Sequence, residues 1–273
     1  MAGHFASLGH FIRVGVVGCG RVGRTVCFAI DGGRVHADLA AICDTNADKV
    51  QALLFQLKRP TRSMSLNGLV ASVDLVIEAT NRHVAPVVMM AALNGGKDVL
   101  VTNTAAILAR DDFARLARER GLTIFAANTL LTEANALNTA AAVPGASVTL
   151  TISCPPPVLA DAPFLRGRKL KAEQEPRLVF QGEAGDAMAA FPMLANIVAA
   201  AAIGAAGADL LVRVQAHQVA DATDIELNVA LDQQQTEARA HVPCAGGEPV
   251  EPEVIGLLAV GFLRSLVSSI RLA

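Results

Sequence analysis

RVGVVGCGRVGRTVC, residues 13–27, contains a strand, a glycine-rich turn and the start of a helix in unbroken succession. Val14 to Val17 is a short apolar, β-branched run of the kind a buried parallel strand requires. Gly18, Gly20 and Gly23 then give GxGxxG at the point where the chain must turn into a helix. In such a turn the first glycine permits the tight bend, the second lets the backbone approach a pyrophosphate, and the third lets the new helix pack close to its strand. The helix N-terminus adds free N–H groups that suit phosphate. The stretch therefore predicts a dinucleotide-binding βαβ unit.

A second acidic signal supports this. LAAIC, residues 39–43, reads as another strand, and Asp44 stands at its tip. A carboxylate there can accept from a ribose 2′-OH and would repel a 2′-phosphate, which favours NAD over NADP. Arg21 and Arg24, close to the turn, leave NADP possible. The competing reading of Asp44 is the N-cap of the helix that follows.

The whole chain has 273 residues, enough for two modest domains. It is 52% hydrophobic, with much of the excess alanine, and no apolar run approaches the length of a membrane span. Its formal net charge is −2 with scattered basic residues, which leaves no electrostatic footprint for nucleic acid. No basic segment followed by a cleavable apolar one precedes Arg13, so a cytoplasmic protein is expected. The five cysteines show no metal spacing and read as reduced and structural, with Cys19, inside the glycine turn, a possible exception. No metal site is expected. Tryptophan and tyrosine are both absent, so there is no catalytic phenol.

Residues 12–102 alternate strand and helix, predicting an α/β fold: a doubly wound Rossmann sheet of parallel strands. VDLVIEAT, residues 73–80, reads as a third strand, and KDVLVTN, residues 97–103, as a fourth. Ligands of such a sheet lie beyond the carboxyl ends of its strands, so Thr80, Asn81 and Asn103 should border the cofactor. His83 also falls there, although a surface position at a helix start accounts for it better. The first domain closes near Asn128, giving 1–128 as the dinucleotide-binding domain. A final helix, 254–273, is expected to pack back on it.

Residues 129–253 change composition and predict a second, α+β domain for substrate binding and dimerisation. It holds an alanine-rich helix, the strand SVTLTIS at 147–153, and LLVRVQAH and DIELNVAL as an antiparallel pair. The loop from Asp161 to Pro176 carries Arg166, Arg168, Lys169 and Lys171; it is either a solvated loop or a source of positive charge for an anionic substrate. The alanine-rich helix at 197–208 would leave an apolar face exposed in a monomer, which points to a homodimer.

GCGRVGRTV, VDLVIEAT, NGGKDVLV, EPRLVFQGEAGDAMAAFP and RVQAH followed by DIEL occur in an order that resembles the L-aspartate dehydrogenase family across nearly the whole chain. The resemblance implies an NAD(P)-dependent, typically dimeric oxidoreductase. Such enzymes pass a hydride between nicotinamide C4 and an amino or imino acid, converting L-aspartate to iminoaspartate. It places Gly18, Gly20, Arg21, Val22, Asp44, Thr80 and Asn103 along the cofactor, with Gly23 packing the turn, and Asn128 and Asn196 toward the substrate. The family's catalytic histidine lies in an Asn-x-His-Glu-Ile segment. Aligning Glu-Ile with Asp224-Ile225 puts Asp221 at the asparagine and Thr223 at the histidine. Thr223, Asp221 and the nearby His217 are thus the candidates for the catalytic position. The alternatives are a non-catalytic NAD-binding sensor or assembly protein, and a homoserine dehydrogenase-like or dihydrodipicolinate reductase-like enzyme.

Overall fold

The computed structural model describes residues 11–108, 110, 112–127, 146–170, 175–205, 208–217, 222–231, 234–244 and 247–267. The lead-in before Phe11 and the alanine-rich segment after Thr129 lie outside them. The chain divides into two compact units, Met1–Thr129 with Pro252–Ala273, and Leu130–Glu251.

The first unit is built around β1 (Arg13–Val17), whose side chains are buried on both sides: Val14 and Val16 join one core, Val17 the other. A strand covered on both faces by helices must be apolar at consecutive positions, as this one is. After it come α1 (Arg21–Asp31), β2 (Asp38–Cys43), α2 (Ala47–Gln56), β3 (Arg62–Ser63), α3 (Leu66–Ser72) and β4 (Leu75–Glu78). Next are α4 (Ala85–Asn94), β5 (Asp98–Val101), α5 (Ala105–Leu108), α6 (Asp112–Glu119) and β6 (Ile124–Ala126). The strands form one parallel sheet in the order β3-β2-β1-β4-β5-β6. The strand read as third from the sequence is therefore the fourth. Arg62–Ser63 precedes it as a two-residue edge strand of exposed residues, too short and too polar to show any strand periodicity.

Chain reversal at β1 is where the sheet order turns outward in both directions, the place at which such sheets bind their ligands. The last helix, α10 (Pro252–Val267), belongs to this unit and packs on α1. Gly256 permits the approach, since a Cβ there would run into the Thr25 side chain. Ala259, Val260, Leu263 and Leu266 enter the same core as β1, and Phe262 stacks on Phe125 with centroids 5.3 Å apart.

The second unit is a mixed sheet of β7 (Ser147–Cys154), β8 (Arg177–Gly182), β9 (Asp209–Ala216), β10 (Ala222–Leu231) and β11 (Gln234–Pro243), with α7 (Pro156–Leu159), α8 (Ala184–Ala190) and α9 (Ala195–Gly204). Its order is β11-β10-β7-β9-β8. β9 and β10 are thus not the antiparallel pair that their nearness in sequence suggested. β7 lies between them, parallel to β9 and antiparallel to β10. The order of the strands is a choice that no local pattern in either β9 or β10 records. Val148, Leu150, Ile152, Val212, Val214, Ile225, Leu227 and Val229 are buried on one face, while the intervening positions are polar, the alternation of a half-covered sheet. α9 buries Ile197, Val198, Ala199, Ala200 and Ala201, so its apolar residues are largely covered within the chain.

The segment most specific to the family resemblance has a structural reason. Phe180 of β8, Phe191 after α8 and Phe164 meet in a three-ring cluster with centroids 5.5 to 5.7 Å apart. Phe191 is fully buried. The LVFQG and FP motifs supply two of those rings.

Candidate functional site

The glycine turn has the geometry its spacing predicts. Gly18 has φ +105°, which L side chains avoid, and a Cβ on it would strike the Ala79 carbonyl of the neighbouring strand's end. A Cβ on Gly23 would strike the Gly18 carbonyl, so α1 can leave the turn only with glycine at that position. Gly20 is different. A Cβ there meets nothing within 4 Å, so its bareness serves no contact within the fold. It is also the N-cap of α1, with no side-chain cap and no acid in the first turn. Arg21 stands in that turn instead, where the helix dipole disfavours a cation and welcomes an anion. An open backbone, an uncapped helix start and a nearby guanidinium together suit a pyrophosphate. Arg21 pairs loosely with Glu253 of α10, Nη1 to Oε2 3.8 Å, and Val22 packs against the core beneath.

Asp44 follows β2 directly. Its carboxylate accepts from the Cys19 N–H at 2.6 Å and from the Asn46 N–H at 2.8 Å. The helix cap is Asn46, whose Oδ1 accepts from the Lys49 N–H at 3.0 Å. Asp44 is therefore released from capping and ties the end of β2 to the glycine turn. It is half-exposed, with lone pairs to spare for a further donor. Cys19 itself is buried, and burial together with the Asp44 charge pushes its thiol up to about 12. It is an inert filler of the turn.

Beyond β4 and β5, Thr80 and Asn103 are brought together by a group whose role the sequence reading missed. Glu78, the last residue of β4, is fully buried, and its Oε1 accepts from the Thr80 N–H and Oγ1–H, both at 2.7 Å, and from Asn103 Nδ2 at 2.9 Å. Its Oε2 accepts from the Asn103 N–H at 3.1 Å. The available signal was a carboxylate closing an otherwise apolar strand, since a buried charge requires partners. Asn81 is diverted: its Oδ1 accepts from the His83 and Val84 N–H groups at 3.0 and 3.2 Å, shaping the turn into α4, and His83 is exposed.

In the second unit the predicted catalytic residues separate. Thr223 is fully buried on the covered face, its Oγ1 3.6 Å from Cys154 Sγ. Burial pushes that thiol up to about 12. His217 lines a cleft of the opposite, polar face together with Asp224, Arg213, Gln215 and His241. His241 was not singled out from sequence. It comes from β11, opposite Asp224 on β10, and its Nδ1 lies 2.6 Å from Asp224 Oδ1. Only strand pairing could reveal that contact. Asn196 is half-buried in the first turn of α9; Asp221 and Asn128 lie outside the described residues. Arg166, Arg168 and Lys169 are exposed. Among the described residues no cluster of His, Cys, Asp and Glu is placed to hold a metal ion, and no helix is long and apolar enough to cross a membrane.

Comparison with known proteins finds two family models that match the chain. Residues 18–127 match the family model described as homoserine dehydrogenase, NAD binding domain, and residues 135–266 match that described as aspartate dehydrogenase, C-terminal. The first unit is thus an NAD-binding domain. Among solved structures, aspartate dehydrogenase from Thermotoga maritima is similar with a TM-score of 0.70, covering 97% of this chain and 100% of that one at 15% identity. Scyllo-inositol dehydrogenase from Lactobacillus casei, solved with NAD(H) and scyllo-inositol, gives 0.56 over 94% of this chain and 88% of that one at 12% identity. At those identities both speak for the fold. L-aspartate dehydrogenase of Methanosarcina acetivorans is 35% identical over 202 residues, 72% of this chain and 74% of that protein. That similarity, running through both units, makes the chain an NAD(P)-binding oxidoreductase of the L-aspartate dehydrogenase family.

Proposed function

We propose that this protein oxidises L-aspartate, or an amino acid close to it, with NAD in preference to NADP, and that it does so slowly. The observation that carries the reading is the intact cofactor cradle, Gly20 bare and Asp44 freed from capping, on a chain 35% identical to an L-aspartate dehydrogenase. When bound, NAD⁺ supplies a hydride acceptor at nicotinamide C4. The chain's part is to hold it: α1 and Arg21 at the pyrophosphate, Asp44 at the ribose, Thr80 and Asn103 at the nicotinamide end. Homodimerisation enters from the family resemblance, since α9 buries much of its own apolar surface; the cytoplasm is the proposed location.

The slowness follows from the acid–base group. Removing a hydride from an α-carbon requires the neutral amine, hence a base with a pKa near working pH, which imidazole supplies. Matching the family's Glu-Ile to Asp224-Ile225 gives Thr223 the histidine's position, and its neighbour Cys154 holds its proton far above neutrality. Neither can take the ammonium proton. His217 lies on the other face of the sheet and is no substitute at that position. Loss of such a group typically costs ~10²–10⁴ in rate. The same observation favours a second reading, a sensor that binds NAD without turnover.

Thr223→His, made together with Cys154→Ala to open the buried space, should raise aspartate-dependent NAD⁺ reduction, and His217→Ala should leave it unchanged. Loss of turnover in His217→Ala would move the acid–base role to the polar face. Tight NADH binding with no turnover in either the parent or the double variant would favour the sensor.

A further inference from the structure

We infer that Glu78 is a positioning residue that sets the hydrogen-bond polarity of the nicotinamide end, so that the protein selects cofactors bearing a carboxamide N–H; this rests on the NAD-binding reading above. Every group that reaches the buried carboxylate is a donor: the Thr80 N–H and hydroxyl, the Asn103 N–H and the Asn103 amide nitrogen, which lies 2.9 Å from Oε1 and 3.2 Å from Oε2. That amide nitrogen also donates to the Thr80 carbonyl at 3.2 Å. The orientation of the Asn103 amide is therefore fixed by chemistry. Turned over, its Oδ1 would face two carboxylate oxygens and a carbonyl, three acceptors with no proton among them.

Two consequences follow for what the site displays. Both protons of the Asn103 amide are used inward, so Oδ1 is left outward as an acceptor, and among the described residues it takes no hydrogen bond. The Thr80 hydroxyl spends its single proton on Glu78 at 2.7 Å, its alternative, the Asn81 carbonyl, being 3.4 Å away, so its lone pairs also point outward. Both residues are half-exposed. They stand past the ends of β4 and β5, on the far side of β1 from Asp44, where the nicotinamide half of a dinucleotide falls when the adenosine ribose is at Asp44. An outward pair of acceptors receives the carboxamide NH₂ and has nothing to offer a ring substituent that lacks it.

The experiment is calorimetric titration of the full chain with NADH, with reduced acetylpyridine adenine dinucleotide, which keeps the carbonyl but has a methyl in place of NH₂, and with ADP-ribose, which lacks the ring. The parent should bind NADH about tenfold or more tighter than the acetyl analogue, the worth of one hydrogen bond to a well-held acceptor. Glu78→Gln presents an amide N–H to Asn103, turns that amide over, and should bring the two cofactors to about equal affinity while ADP-ribose binding stays as in the parent. Asn103→Ala keeps three of the donors on Glu78, removes the outward acceptor, and should flatten the same preference if Glu78→Gln does not fold. Equal binding of NADH and the analogue by the parent, or a preference retained in Glu78→Gln or Asn103→Ala, overturns the inference while leaving NAD binding intact. Failure of the parent to bind both NADH and ADP-ribose overturns the cofactor reading and this inference with it.

Discussion

Gly20→Ala separates cofactor binding from folding. A methyl group at Gly20 meets no atom within 4 Å, whereas at Gly18 and Gly23 it strikes backbone carbonyls, and the φ of Gly20, −75°, is one that alanine adopts without strain. The fold should therefore accept the substitution, and loss of a flexible glycine should if anything stabilise it by about 0.4–1 kcal/mol. The pyrophosphate should not accept it. The methyl occupies the open ground over the first turn of α1 and pushes the phosphate off its N–H donors. Losing one hydrogen bond to a charged group costs about 1.5–3 kcal/mol, which is roughly ten- to a hundredfold in Kd. The assay pairs NADH titration by calorimetry, suited to a chain without Trp, with thermal unfolding of the unliganded protein. The expected result is a weakened Kd with Tm unchanged or slightly raised. An unchanged Kd would refute the placement of the pyrophosphate over α1, and a large drop in Tm would refute the reading of Gly20 as structurally idle.

NADH should bind more tightly than NADPH, and Asp44→Ala should narrow the ratio of the two affinities; the ratio is the proper readout because Asp44 also steadies the turn through the Cys19 N–H, a loss both cofactors share. Phe191→Ala, which empties the centre of the three-ring cluster, should cost about 3–5 kcal/mol and lower the denaturation midpoint of the second unit. The buried thiols make stability pH-dependent on the alkaline side. Cys19 and Cys154 stay protonated in the fold up to about 12 but ionise near 9 when unfolded, so their contribution is complete below pH 9 and is lost progressively between there and pH 12. Tm should fall across that window, and native Cys19 should resist alkylation at neutral pH while the denatured chain reacts.

Much of the first unit was legible because its signals are local. GxGxxG between an apolar strand and a helix reports its own geometry: Gly18 and Gly23 perform the turning and packing tasks their spacing assigned, and Gly20 is left open. What stayed hidden depends on pairing between distant segments. The insertion of β7 between β9 and β10, and the Asp224–His241 contact that strand pairing creates, leave no trace in any one segment. Glu78 is an intermediate case. Its acidic side chain at the end of an apolar strand was visible, but its partners at Thr80 and Asn103 become apparent only when β4 and β5 lie side by side. The separation of Thr223 from His217 likewise required knowing which face of the sheet each residue takes.

The most direct measurement follows the hydride itself. L-aspartate carrying deuterium at its α-carbon is incubated with the protein and NAD⁺, and the NADH formed is read by proton NMR. The account predicts slow, protein-dependent NADH bearing one deuterium at nicotinamide C4, with oxaloacetate and ammonia appearing as the imine hydrolyses. NADH without deuterium, or no NADH while calorimetry shows the cofactor bound, would contradict it.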